Sequence, residues 1–256
     1  MNIIYGINAI SEALTSRGRS FEYIAVARDR HDSRIHRLIA ECRRMGISVR
    51  FVSRTELDRM SRTTAHQGIV AVASGKKYSE LDEMLSRRRG NHAFLVVLDG
   101  VEDPHNLGAV IRTAEGAGAD GVIIPDRRAV GVTGIVAKAS AGAVEHVPIA
   151  KVTNIGRTLE ELKSRNIWTI GLDQRAEKTY DQLDYQMDCA LVLGAEGTGL
   201  HEQVRKKCDF LVSIPMSGKV ASLNVSVAAA VVLYEIARQR RQLSTAPATP
   251  VSQTSS

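Results

Sequence analysis

Residues 94–125 read FLVVLDGVEDPHNLGAVIRTAEGAGADGVIIP. The stretch opens on an uninterrupted apolar run, Phe94–Leu98, closed by Asp99. It passes through a turn holding Pro104, continues with helical spacing, and closes on a second apolar run, Gly121–Pro125. Two short strands flanking a helix, with almost no polar residue inside the strands, describe a β-α-β unit in a parallel sheet buried on both faces. Gly116, Gly118 and Gly121 spell GxGxxG, but here a helix precedes the glycines and a strand follows. A dinucleotide fingerprint needs the reverse order, so that a helix N-terminus meets the phosphates. These glycines instead end the helix and turn the chain into the sheet.

The same alternation continues downstream. WTIGL (168–172), ALVLG (190–194) and FLVSIP (210–215) are the further strands expected, with helices near 106–118, 133–145, 154–165, 200–207 and 222–241. The chain before residue 76 reads as a smaller α/β unit. Asn8 is expected to cap a helix running to Ser16. FEYIAVA (21–27), ISVRFV (47–52) and GIVAVA (68–73) are strand-like, and a helix through Ile35, Leu38, Ile39 and Cys42 stops at Gly46. Ser53 and Glu56 form a capping-box pattern. Composition shifts at Gly75 and Gly90 divide the chain into a domain over 1–75, a linker over 76–90 and a domain over 91–241. Residues 242–256, uncharged and rich in Ser, Thr, Ala and Pro, are expected to be a disordered tail.

Charge is unevenly placed. The 256 residues carry a formal net charge of +6. Residues 1–75 hold 12 arginines, no lysine and 7 acids, a net of +5, while residues 91–241 have a net of −1. Arginine's planar fork suits phosphate and stacks on bases. A basic module joined to a near-neutral one suggests that the first holds a polyanion and the second does other work. A solvated arginine-rich surface accounts for the charge as well. Cys42, Cys189 and Cys208 are scattered without CxxC spacing, which reads as reduced cysteines rather than a disulfide frame or zinc site. No apolar run reaches the roughly 20 residues of a membrane helix. GAEGTG (194–199) lacks the GK[ST] ending of a phosphate-binding loop, which argues against an NTPase.

Three motifs in the second segment carry polar residues where packing does not ask for them. In the first, Asn106 falls at a helix start and Arg112 six residues on, about 9 Å along the axis. Alone, this motif reads as a cap and a solvated or paired arginine. In the second, LVLGAEGTGL (191–200), an apolar strand runs into a glycine-rich turn holding a single acid, Glu196, unless that acid is simply an exposed turn residue. In the third, IPMSGKVASLNVSVAAAVVLYEIA (214–237), Ser222 and Asn224 open an alanine-rich helix, which equally describes a well-capped core helix.

In this order and spacing the motifs resemble those of the SpoU or TrmH-type RNA ribose 2′-O-methyltransferases of the SPOUT superfamily. The likeness spans Ile4 to Arg241, with YGINAISEAL and HQGIVAVA (66–73) similar to the two ends of that family's RNA-binding domain. Asn8 stands where the subgroup's pattern has histidine. The resemblance implies an α/β fold whose C-terminal domain is a deep trefoil knot with a mainly parallel sheet. It also implies a small N-terminal ribosomal-protein-like domain, a homodimer and no metal. It implies S-adenosylmethionine as cofactor, held by Thr169, Ile170, Gly171, Leu172, Gly194, Ile214, Met216 and Leu223. Arg112 would activate the ribose hydroxyl or bind the adjacent phosphate, with Asn106, Glu196, Asn224 and Ser222 positioning the reactants. The expected activity is methylation of a guanosine ribose in the peptidyl-transferase region of 23S rRNA, in the cytoplasm, on rRNA or the assembling large subunit. A tRNA or other rRNA target, or RNA binding without catalysis, are the alternatives.

If the arginine-rich segment holds RNA, removing residues 1–75 weakens binding and flattens its salt dependence. Each phosphate contact contributes about −0.9 on duplex, or about −0.7 on single strands, to the slope of log K against log salt. Filter binding across a salt series reads the slope, and an unchanged value contradicts this division of labour.

Overall fold

The computed structural model describes residues 2–29, 32–86, 88–127 and 130–244. Two sheets organise the chain. The first contains β1 (Asn2–Tyr5), β2 (Phe21–Ala27), β3 (Ser48–Val52) and β4 (Ile69–Ala73) in the order β1-β4-β2-β3. β4 is antiparallel to both neighbours, and β2 is parallel to β3. Helices α1 (Ile7–Ser16), α2 (Ser33–Arg44) and α3 (Arg54–Ser61) complete this unit. Ser53 caps α3 by accepting from the Glu56 amide. Asn8 does not cap α1. The cap position falls to Gly6, whose φ of +94° a side chain rarely adopts, and Asn8 lies inside the helix.

The second sheet contains β5 (Phe94–Asp99), β6 (Gly121–Pro125), β7 (Ile149–Val152), β8 (Trp168–Leu172), β9 (Cys189–Gly194) and β10 (Phe210–Val212). Its order is β10-β8-β9-β5-β6-β7, with every pairing parallel. α5 (Pro104–Ala117), α6 (Gly134–Ala139) and α9 (Val225–Ser244) lie on one face. α4 (Leu81–Ser86), α7 (Ile155–Ser164) and α8 (Glu202–Arg205) cover the other. The residues of β5 alternate between the two cores. Phe94, Val96 and Leu98 join Val110, Ile111 and Val232, while Leu95 and Val97 join Met84, Leu159 and Leu162. Burial on both sides is why this strand shows no polar alternation in sequence.

Two strands, β1 and β7, escape the sequence reading. Each has four residues, and β7 carries Lys151 on an edge. The segment expected as a helix over 133–145 divides into α6 and a 3₁₀ turn, Ala143–Glu145, interrupted by Gly142 at φ +90°. α9 runs to Ser244, three residues into the expected tail, and residues 245–256 lie outside the described residues. Among the described residues no helix is long and apolar enough to cross a membrane.

The stretch after Gly75 is held against the second sheet. The Ser79 amide donates to the Ile149 carbonyl at 2.8 Å, and the Tyr78 hydroxyl accepts from the Val132 amide at 3.1 Å. Met84 fills space that a side chain at Gly121 would need, since a Cβ there would stand 2.2 Å from its sulfur. The two units also meet directly. β1 packs on α6 so closely that a Cβ on Gly134 would lie 2.3 Å from the Ile3 carbonyl oxygen. Beside this contact Arg19 donates through Nε to both Glu145 oxygens at 3.0 Å and through Nη1 to the Ser74 carbonyl. Both side chains are buried. Among the described residues of 1–75, ten arginines are exposed (17, 28, 34, 37, 43, 44, 50, 54, 59 and 62). Arg19 differs from them by serving the junction.

Breaking a buried ion pair from one side leaves the other charge uncompensated, at a cost of about 3–5 kcal/mol. Glu145→Ala is therefore expected to lower the urea midpoint sharply, far more than Arg34→Ala, whose partner Asp32 is at the surface. Comparable losses for the two variants would mean that the junction contributes little.

Candidate active site

In an open parallel sheet, ligands bind outside the carboxyl ends of the strands, where connections leave in opposite directions. Here that point lies between β5 and β9. The chain leaves β5 through α5 toward β6, and leaves β9 through α8 toward β10 at the opposite edge. Asp99 pairs with Gly194 at the last register position, so the loops that follow emerge side by side.

The first polar group on those loops is Glu196, in the tight turn Ala195–Gly199. That turn is closed by reciprocal main-chain hydrogen bonds between Ala195 and Gly199 at 3.0 and 2.9 Å. The glycines have separate reasons. Gly197 and Gly199 hold φ of +81° and +71°, and a Cβ on Gly194 would sit 2.1 Å from the Gly199 carbonyl carbon. The second group is Asn106, in the first turn of α5, after Asp103 has capped that helix through the His105 amide. The third is Asn224, just before α9. Its Oδ1 accepts from the Ser226 amide at 2.9 Å and the Ser226 hydroxyl at 2.6 Å.

These three side chains form one closed set. Asn224 Nδ2 donates to Glu196 Oε1 at 3.2 Å and to Asn106 Oδ1 at 3.0 Å, while Asn106 Nδ2 donates to Glu196 Oε2 at 3.0 Å. A carboxylate only accepts, and the helix cap commits Asn224 Oδ1. Both amides therefore have one orientation that satisfies every partner. Residues 118 and 90 positions apart in sequence are held at hydrogen-bond distance.

Two cavities flank this set. The first, of about 260 Å³, is walled by Leu172, Leu193, Gly194, Ile214, Met216, Leu223 and Ala228, with Asp173, Arg175, Glu196 and Ser222 at its polar parts. Arg175 hydrogen-bonds Asp173 and, with Arg205, holds that carboxyl down from 3.8 to about 2. The second cavity, of about 320 Å³, shares Ala195, Glu196, Thr198 and Val225 with the first, and adds Gly100, Glu102, Asp103, Asn106 and His201. A molecule in one cavity would thus face a molecule in the other across Glu196.

The expected residues divide. Leu172, Gly194, Ile214, Met216, Leu223, Ser222 and Glu196 line the first cavity, and Asn106 lines the second. Thr169, Ile170 and Gly171 do not reach it. Thr169 is buried and bonded to Asp209, Ile170 lies in the core, and Gly171 packs against Leu211, Cys208 and Leu200. Only the carboxyl end of β8 faces ligand space, so Asp173, Gln174 and Arg175 stand where those three were expected. Their position just after a parallel strand was the signal that could have found them. Arg112 lies exposed on α5, lines neither cavity, and within one chain does not join Asn106, Glu196 and Asn224. Its helix position explains this: six residues from Asn106 is not a facing interval.

The model of the SpoU rRNA methylase family matches residues 93–234, and that of the RNA 2′-O ribose methyltransferase substrate-binding domain matches residues 3–79. A protein of Haemophilus influenzae named 23S rRNA (guanosine-2′-O-)-methyltransferase RlmB is 45% identical over 241 residues, covering 93% of this chain and 97% of that one. Its Pectobacterium atrosepticum counterpart is 44% identical over 239 residues, covering 93% and 98%. Among solved structures, the SpoU methyltransferase AviRb of Streptomyces viridochromogenes, in complex with AdoMet, superposes with a TM-score of 0.78 at 26% identity. That match covers 94% of this chain and 90% of AviRb.

Asn224 serves both the α9 cap and the polar set, and two variants separate the roles. Asn224→Ala loses both the cap and the Nδ2 hydrogen bonds and is expected to cost at least about 1 kcal/mol in urea denaturation. Asn224→Asp keeps a capping oxygen but sets a second carboxylate against Glu196, so its loss of stability should shrink as the pH is lowered. A pH-independent loss would show that the two side chains are not in contact.

Proposed function

The chain belongs to the SpoU rRNA methylase family, and from that premise we propose that it methylates the 2′ hydroxyl of a guanosine ribose in 23S rRNA. The observation that carries this reading is the Asn106–Glu196–Asn224 set standing between two adjoining cavities. S-adenosylmethionine, when bound, supplies a methyl group on a positively charged sulfur. The first cavity suits it. Leu172, Ile214 and Leu223 offer apolar walls, Asp173 and Arg175 offer both signs of charge to an amino-acid end, and Glu196 sets a carboxylate near a cation. Side chains at Gly197 and Gly199 would project into open space, so the bare turn leaves room for close approach.

The second cavity then receives the ribose. Asn106 and Asn224 hold Glu196 rigidly, and a rigid site contributes to rate by alignment. Ser222 adds a hydroxyl to the cofactor wall. Arg112 binds the phosphate beside the acceptor nucleotide and so orients the ribose. A homodimer belongs to the same reading. Val227 and Tyr234, each 49% exposed, lie seven residues apart on α9, and Tyr234 borders Gly116, one turn beyond Arg112. An apolar patch next to Arg112 suits a twofold contact near the site. The trefoil path of the family is part of the proposal, as are the peptidyl-transferase region as target, ribosome maturation as process and the cytoplasm as compartment. The exposed arginines of the first unit face outward where a polyanion is accessible.

The deciding experiment incubates the protein with a 23S rRNA transcript and tritiated S-adenosylmethionine and maps the modified ribose. In the same assay Arg112→Ala is expected to abolish transfer while leaving cofactor affinity, read by calorimetry, unchanged. Activity retained within about tenfold, roughly 1.4 kcal/mol, would remove Arg112 from the chemistry.

A further inference from the structure

A ribose hydroxyl must lose its proton as its oxygen takes up a methyl group. Of the residues assigned so far, Glu196 alone is an acceptor, and each of its oxygens already takes an amide hydrogen from Asn106 or Asn224. Arg112 carries a guanidinium that stays protonated. Asn106, Asn224 and Ser222 are not bases at neutral pH.

The second cavity supplies one. His201 lines it together with Asn106 and Glu196. The imidazole Nδ1 lies 3.0 Å from Asp99 Oδ1, and the His201 main-chain amide donates to Asp99 Oδ2 at 2.9 Å. Asp99 is buried at the end of β5, so its carboxylate is fixed by the sheet. A carboxylate accepts the Nδ1 hydrogen and leaves Nε2 as the ring's lone-pair nitrogen. Gly100, at φ +84°, lets the ring lie against the main chain, and a Cβ there would be 3.2 Å from Cε1. The imidazole is 60% exposed, so Nε2 is not sealed by packing.

Carboxylates stand around that ring. Asp99 lies beneath it, Glu102 and Asp103 are on the loop after β5, Glu196 is on the turn after β9, and Glu202 follows on α8. The neighbouring cation on α8, Arg205, is committed to Asp173 at 2.8 Å.

We propose that His201 accepts the proton of the ribose hydroxyl and that Asp99 is its positioning residue, an inference that rests on the methyl-transfer reading above. The hydroxyl proton passes to Nε2, and an oxygen lone pair forms the new bond to the methyl carbon. The electron pair of the broken carbon–sulfur bond stays on sulfur, which becomes a neutral thioether. The imidazolium then releases its proton to water.

The test uses the full chain, a 23S rRNA transcript and tritiated S-adenosylmethionine in single turnover across the histidine range of pH. The wild-type rate should rise with unit slope and level off. His201→Gln should lose that rise and fall by at least about a hundredfold at the plateau. Its affinities for S-adenosylmethionine and RNA should stay at the wild-type values, since an exposed ring is removed. Nitrogen-15 spectra of the imidazoles in cofactor-free protein give a reading independent of turnover. Neutral His201 should carry its hydrogen on Nδ1, and Asp99→Asn should mix the tautomers. A His201→Gln rate within about threefold of wild type, an unchanged pH rise, or a hydrogen on Nε2 overturns the inference. A wild-type protein that transfers no methyl to the transcript overturns the reading of the whole site, and this inference with it.

Discussion

The site depends on one constraint, the parallel pairing of β5 with β9, which ends with Asp99 opposite Gly194. Because both strands run the same way, both following loops leave from one end of the sheet. Asp99 then anchors the His201 amide across the strand gap, and the turn after Gly194 delivers Glu196 to Asn106. An antiparallel neighbour would have sent one of these loops to the opposite end of the sheet. The cores on both faces fix the register, since a one-residue slip would exchange the sides of Phe94, Val96 and Leu98 with those of Leu95 and Val97.

Much of this was legible in the residues. The apolar runs at 94–98 and 121–125 name their strands because burial on both faces leaves little room for polar residues. Asn106, Glu196 and Asn224 stood out because a polar residue beside tight glycine turns and helix starts is not demanded by packing. What sequence did not give was direction. Thr169 lies on the same strand as Leu172, yet its hydroxyl turns to Asp209, and only tertiary pairing decides which end of β8 meets a cavity. His201 looked like any residue at the start of a short helix. Its importance comes from Asp99, which lies 102 positions earlier.

The two halves of the chain are more closely joined than their compositions suggest. The shift from arginine-rich to near-neutral sequence marks a change of task, but not a gap. Arg19 belongs by sequence to the basic unit, yet its guanidinium is buried against Glu145 of the other. Lys76, whose amine donates to the Glu145 carbonyl, has its pKa lowered by burial at the same junction. Charged groups at this depth favour one docking angle, because any other leaves a buried charge without its partner. RNA held by the exposed arginines would then meet the cavities from a fixed direction.

The amide–carboxylate set has an origin in time as well as in space. Asn106 and Glu196 leave the ribosome before Asn224, which stands just ahead of α9. Domains fold as units, and earlier segments wait for later ones during synthesis. A nascent chain therefore has no closed polar set around Glu196 until α9 has emerged and docked. A closed set is in this sense a certificate that α9 has docked, and a chain cut before Asn224 would lack it.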